Sequence, residues 1–226
     1  MERVNQTRVK VCCIMDHKES ALAVRAGADA LGLVSAMPSG PGPIDDGLIA
    51  AIVRRVPPPL GTFLLTSRRS VESIAAQHRT IHTTTIQIVD TLREGSYEEL
   101  RALLPGVKLV QVVHVTETAS IDEARDVAPH VDAVLLDSGR PNAAVKELGG
   151  TGRRHDWSIS AAIRESIDVP LFLAGGLHAG NVADAIREVG PYGVDVCSGV
   201  RTNGRLDPAK LQAFMEAVRA CSAPGR

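Results

Sequence analysis

Aromatic residues are almost missing from this chain: one Trp, two Tyr and three Phe, 3% of 226 residues. A surface that stacks nucleic-acid bases is built from such rings, so a binder of that class is excluded. An excess of either charge is missing too. Twenty-five Lys and Arg against 26 Asp and Glu leave a formal net charge of -1, which gives no footprint for a polyanion or an anionic membrane. The arginine pairs at 54–55, 68–69 and 153–154 stand alone and read as helix-end residues. No run approaches the ~18 apolar residues of a membrane span, and the opening MERVNQTRVK has no apolar signal core. The expectation is a soluble cytoplasmic protein with neither nucleic acid nor membrane as partner. Cysteines number only four, and their spacing fits neither a disulfide framework nor a zinc site. Free thiols and no metal follow.

What the chain does have is rhythm. Short apolar runs at 9–14, 30–34, 61–65, 85–89, 107–113, 131–136, 170–173 and 193–196 read as strands. Amphipathic stretches at 18–26, 45–54, 71–78, 96–103, 121–128, 158–166, 181–188 and 208–220 read as helices, with Ser70 and Asp207 as caps. No two-strand hairpin is expected between them. Apolar strands alternating with amphipathic helices mean a parallel sheet covered by helices. Eight such units in one domain, 1–226, predict a (β/α)8 TIM barrel, with residues 1–8 and 221–226 as a flexible arm and tail. An open doubly wound sheet would carry its glycine fingerprint after strand one, and MDHKES has no glycine there.

In such a barrel, chemistry sits at the C-terminal ends of the strands. Cys12 falls at the end of strand one and Asp137 directly follows the apolar run AVLL. Lys10 shares a strand face with Cys12, where an ammonium would favour the thiolate. Cys13, on the opposite face, is expected to pack outward against the helices. The residues alone leave Cys12 open between reactive thiol and small core residue, and Asp137 between general acid and local cap. Glycine loops close the last three strands: GGTG with Gly150, Thr151 and Gly152, AGG with Gly175 and Gly176, and CSGV with Ser198 and Gly199. Three at successive strand ends point to a phosphate cradle. His17, His155 and His178 read as loop residues near that end, and His78, His82, His114 and His130 as surface or helix-end residues.

VKVCCI, AGADALGLV, LLDS, GGTG followed by DW, PLFLAGGL, and YGVDVCSGV followed by DPAKLQAFMEAVR occur in this order. Together they resemble phosphoribosylanthranilate isomerase, most closely over 9–34 and 134–219. The resemblance implies a single barrel and an Amadori rearrangement of N-(5-phosphoribosyl)anthranilate in tryptophan biosynthesis. Cys12 would be the base and Asp137 the acid. The three glycine loops would hold phosphate, with Asp195, Gln87 and Lys10 also on the substrate. It implies no cofactor, and a phosphorylated sugar as the partner of a monomer or homodimer.

Several positions depart from the family pattern. Cys13 stands where the family has glycine, and SAMPSGPGP offers no arginine for the anthranilate carboxylate. Asp90 follows Gln87-Ile88-Val89 in place of glycine, Gln111 stands for lysine and Arg201 for glutamate. Arg68, Arg140, Arg153 and Arg201 are the candidates to replace the missing guanidinium. Isomerisation of another ribosyl phosphate, or a phosphate-binding barrel without catalysis, are the alternatives.

Overall fold

The computed structural model describes residues 6–139 and 155–222. Eight parallel strands close on themselves in sequence order: β1 (Arg8–Val11), β2 (Ala30–Val34), β3 (Gly61–Thr66), β4 (Thr85–Ile88), β5 (Lys108–His114), β6 (Ala133–Asp137), β7 (Leu171–Leu173) and β8 (Gly193–Val196). Closure is made by β8 on β1, with Lys10 opposite Asp195 and Val11 opposite Val196. Helices alternate with them: α1 (His17–Ala26), α2 (Asp46–Val53), α3 (Val71–Ile81), α4 (Tyr97–Leu103), α5 (Ala119–Val127), α6 (Trp157–Ser166), α7 (Val182–Val189) and α8 (Pro208–Ser222).

The helices begin where the capping chemistry allows. The Asp16 carboxylate accepts from the amides of Lys18 and Glu19, and Ser96 and Glu99 satisfy each other's backbone in a capping box. Asp207 accepts from the amides of Ala209 and Lys210 at the start of α8. Arg8 already pairs with Gly193, and α8 runs past Cys221. Position 8 of the expected arm and positions 221–222 of the expected tail thus belong to regular elements; residues 1–5 and 223–226 lie outside the described ones.

Strand parity divides the core in two. Val9, Val11, Leu31, Leu33, Leu64, Ile86, Leu109, Val134 and Leu136 point outward into the layer beneath the helices. Ala30, Val34, Phe63, Leu65, Val110, Val112, Ala133, Leu135 and Phe172 point inward and fill the barrel. Each large aliphatic side chain so buried contributes about 1.5–3 kcal/mol. The same inward parity, carried to the C-terminal rim, places Cys12, Gln87, His114, Asp137 and Asp195.

One element contradicts the sequence reading. A two-residue ribbon, β9 (Arg201–Thr202) against β10 (Arg205–Leu206), follows β8 as an antiparallel hairpin. Its turn is Asn203-Gly204, both at positive φ (51° and 76°), the conformation an Asn-Gly turn selects.

Candidate active site

Lys10 lies at the floor of the site, fully buried inside the barrel. Its Nζ donates to Asp195 Oδ2 at 2.8 Å and to Cys12 Sγ at 3.5 Å, and stands 5.4 Å from the centre of the Phe63 ring. Burial works against its charge, but Asp195 and Cys12 outweigh it and hold the ammonium protonated. Gly32 on β2 makes room for this group: a β-carbon there would lie 2.6 Å from Cys12 Sγ and 3.1 Å from Lys10 Nζ.

Above this floor a cleft opens to solvent. Cys12, Gln87, Asp137, Asp195, Gly175, Gly176 and Ser198 all line it. Lys10 does not; it reaches the cleft only through Cys12 and Asp195. Gln87 Oε1 and Asp195 Oδ1 are buried acceptors without a hydrogen-bond partner among the described residues, as groups awaiting a hydroxyl would be.

Cys12 and Asp137 are displaced from ordinary behaviour in opposite senses. Hydrogen bonding to the Cys13 thiol lowers the pKa of Cys12, and the Lys10 ammonium adds to this against burial and the Asp195 charge. Burial raises the pKa of Asp137, against the Ser138 amide, which donates to its Oδ1 at 2.7 Å, and against His114. Asp137 is deep among protein atoms yet keeps access to solvent through the cleft. A thiol inclined to ionise and a carboxyl inclined to stay protonated thus face one cavity, as an acid–base pair requires.

The three glycine loops divide. Gly175 and Gly176 take positive φ (87° and 65°) at the end of β7, and Ser198 adjoins them on the cleft wall. Gly199 packs against them: a β-carbon there would fall 1.9 Å from the Leu177 carbonyl oxygen. Gly150, Thr151 and Gly152, like Arg140 and Arg153, lie outside the described residues. His155 stands beside the Gly175 turn, its ring bonded to Ser160 Oγ at 2.7 Å.

Two expectations need correction. Cys13 does not pack outward against the helices. Its φ of +60° breaks strand parity, so its side chain turns into the cleft and Ile14 takes the outward place. His114 is not a surface residue: it is buried on β5, in register with Asp137, its Nε2 3.1 Å from the Val89 carbonyl.

The departures at 90, 111 and 201 have local explanations. Asp90 pairs with Arg69 at 3.6 Å. Gln111 accepts from the Tyr97 hydroxyl and donates to the Val112 carbonyl. Arg201 is withdrawn from any substrate role, because its guanidinium is buried on Glu19 (3.2 and 3.0 Å) and bonds the Cys12 and Cys13 carbonyls. It ties the loop after β8 to the loop that carries the thiols. Arg201→Met would leave Glu19 charged and buried, at a cost of about 3–5 kcal/mol. A thermal melt should show a fall of roughly 6–20 °C; an unchanged melting temperature would contradict the pairing. Arg68 is exposed on the loop after β3, where Ser67 Oγ bonds the Ala36 carbonyl of the SAMPSG loop.

Among the described residues, no group of three or more His, Cys, Asp or Glu has a metal-binding arrangement, and no helix is long and apolar enough to cross a membrane.

The family model described as N-(5'phosphoribosyl)anthranilate (PRA) isomerase matches residues 9–217. The chain belongs to this family. The isomerase of Methanothrix thermoacetophila is 37% identical over 215 residues, 95% of this chain and 99% of that one. That of Haloferax volcanii is 38% identical over 215 residues, covering 94% and 93%. Among solved structures, PRA isomerase of Thermotoga maritima superimposes with a TM-score of 0.79 at 26% identity, over 95% of this chain and 99% of that one. A phosphoribosyl anthranilate isomerase in complex with reduced 1-(o-carboxyphenylamino)-1-deoxyribulose 5-phosphate gives 0.77 at 25%, with the same coverage. The barrel and its closed strand order are those of PRA isomerases.

Proposed function

We propose that this PRA isomerase family member performs the Amadori rearrangement of N-(5'-phosphoribosyl)anthranilate with Asp137 as acid and Cys12 as base. Asp137 protonates the ribose ring oxygen as the C1–O bond breaks, and the anthranilate nitrogen lone pair fills the gap as an iminium. The Cys12 thiolate then removes the C2 proton, giving an enolamine that tautomerises to the 1-deoxyribulose ketone. The substrate's own nitrogen is the electron sink. The observation that carries this reading is the shared cleft in which burial favours the protonated form of Asp137 and Cys13 and Lys10 favour the thiolate of Cys12.

The supporting groups take their roles from position. Asp195 Oδ1 and Gln87 Oε1 accept from sugar hydroxyls, and Lys10 acts from below as a positioning residue, fixing Asp195 and the Cys12 sulfur. The turns of Gly175, Gly176, Ser198 and Gly199 hold the phosphate, whose remote binding energy aligns the ribose. Among the described residues, Arg68 is the candidate for the anthranilate carboxylate, since Arg201 is committed to Glu19.

Complementation tests the activity: the gene should restore growth to a tryptophan auxotroph lacking this isomerase. Soluble protein that fails to do so would argue for a different ribosyl phosphate. Gly199→Ala tests the cradle. A β-carbon there must displace the turn from the Leu177 carbonyl, and because such a misplacement costs up to roughly 100-fold, KM should rise with a smaller change in kcat. An unaltered KM would remove the β8 loop from phosphate binding.

A further inference from the structure

Cys13 occupies a position that disfavours any side chain. Its backbone is left-handed, φ +60°, where a residue with a β-carbon costs roughly 1–2 kcal/mol relative to the ordinary helical conformation. The loop after β2 crowds it as well, since a β-carbon on Gly42 would lie 2.6 Å from Cys13 Cβ. Glycine would relieve both conditions, yet the residue is a cysteine. Its sulfur is surrounded by contacts from the rim: the thiol donates to the Pro41 carbonyl at 3.5 Å and accepts from the Cys197 thiol at 2.7 Å. Cys197 follows Asp195 by two residues at the end of β8, is half-buried, and lines the same cleft. Two free thiols 184 residues apart in sequence thus meet at the mouth of the site, one of them reachable through the cleft.

We propose that Cys13 and Cys197 form a reversible redox modification site, oxidised by a hydroperoxide to a disulfide that staples the loop after β1 to the loop after β8. Closing the sulfurs from 2.7 Å to the bonded length of about 2.05 Å is a small movement between loops already in contact. In the first step the Cys197 thiol gives up its proton as its sulfur attacks one peroxide oxygen, and that proton leaves on the departing alcohol or water. A sulfur–oxygen bond forms, the oxygen–oxygen bond breaks and the alcohol, or water from hydrogen peroxide, departs. Sulfur is thereby oxidised to sulfenic acid. Cys13 sulfur then attacks Cys197 sulfur, the sulfur–oxygen bond breaks, and the hydroxide leaves with the Cys13 proton as water. Two thiols lose two electrons and two protons, and the peroxide is reduced.

The consequence for turnover rests on the reading of Cys12 as base. Cys13 follows Cys12 directly and lines the same cleft, so a disulfide to Cys197 replaces the thiol beside the base and ties the mouth of the site. The linkage itself does not depend on that reading.

The test uses the reduced full-length protein treated with stoichiometric hydrogen peroxide. Peptide mass analysis without reductant, on the parent and on Cys12→Ala, should find residues 13 and 197 in one linked species two hydrogens lighter than the separate peptides. Fragmentation between residues 12 and 13 should place the bond on Cys13 and not on Cys12. PRA isomerase activity should fall roughly tenfold or more and return with dithiothreitol. In Cys197→Ser and Cys197→Ala, the linked species and the reversible part of the loss should both be missing, each variant being compared with its own reduced form. Oxidation confined to Cys12, a Cys12–Cys13 link, a link through Cys221, or equal reversible loss in the Cys197 variants would overturn the proposal. A protein inactive on the substrate before oxidation would count against the assigned activity, while the peptide masses would still decide the thiol pair.

Discussion

Cys12→Ala is expected to lower kcat by about 10³- to 10⁴-fold, towards the upper end of what a positioned general base supplies, with affinity for a phosphorylated product analogue nearly unchanged. The sulfur sits at the end of β1 with Lys10 beneath it and Cys13 beside it. Alanine removes one sulfur at the rim and leaves the barrel's apolar layers intact, so the variant should fold and bind. Steady-state kinetics beside a titration with the analogue separates the two effects. Full activity in the alanine variant would dismiss the thiol as base.

Asp137→Asn should cost about 10²- to 10⁴-fold in kcat and reshape the pH profile. On the proposed roles turnover needs Cys12 deprotonated and Asp137 protonated, so the parent enzyme should give a bell whose two limbs belong to the pair. In Asp137→Asn only the thiol still titrates. Its base form gains with pH, so the residual rate should climb and level off without a descending limb. In Cys12→Ala only the carboxyl remains. Its acid form is lost as pH rises, so the residual rate should fall. Opposite slopes in the two variants identify the roles; identical slopes would contradict the assignment.

Much of this was legible in the sequence because strand parity is simple. Eight apolar runs gave the barrel, and parity from 10 to 12, 85 to 87 and 133 to 137 carries the functional side chains inward. His114 follows Val110 and Val112 by the same parity, so its place beside Asp137 is readable from alternation, whereas its residue type alone suggests a surface or helix end. The ribbon was readable too, since Asn203-Gly204 is a strong turn signal. Cys13 is different. A single left-handed residue reverses alternation, and only the glycine usual there in the family hints at it. The Arg201–Glu19 pair joins residues 182 apart, and neither helix period nor strand period brings such residues together.

The most direct measurement is a crystal structure with reduced 1-(o-carboxyphenylamino)-1-deoxyribulose 5-phosphate bound. The expected result places Cys12 Sγ about 3.5 Å from the sugar C2. Asp137 should lie within roughly 2.6–3.2 Å of the hydroxyl derived from the ring oxygen, with the phosphate on the turns of Gly175, Gly176 and Ser198. An analogue seated with its C2 turned from the sulfur, or with the carboxyl beyond reach of that hydroxyl, would contradict the account.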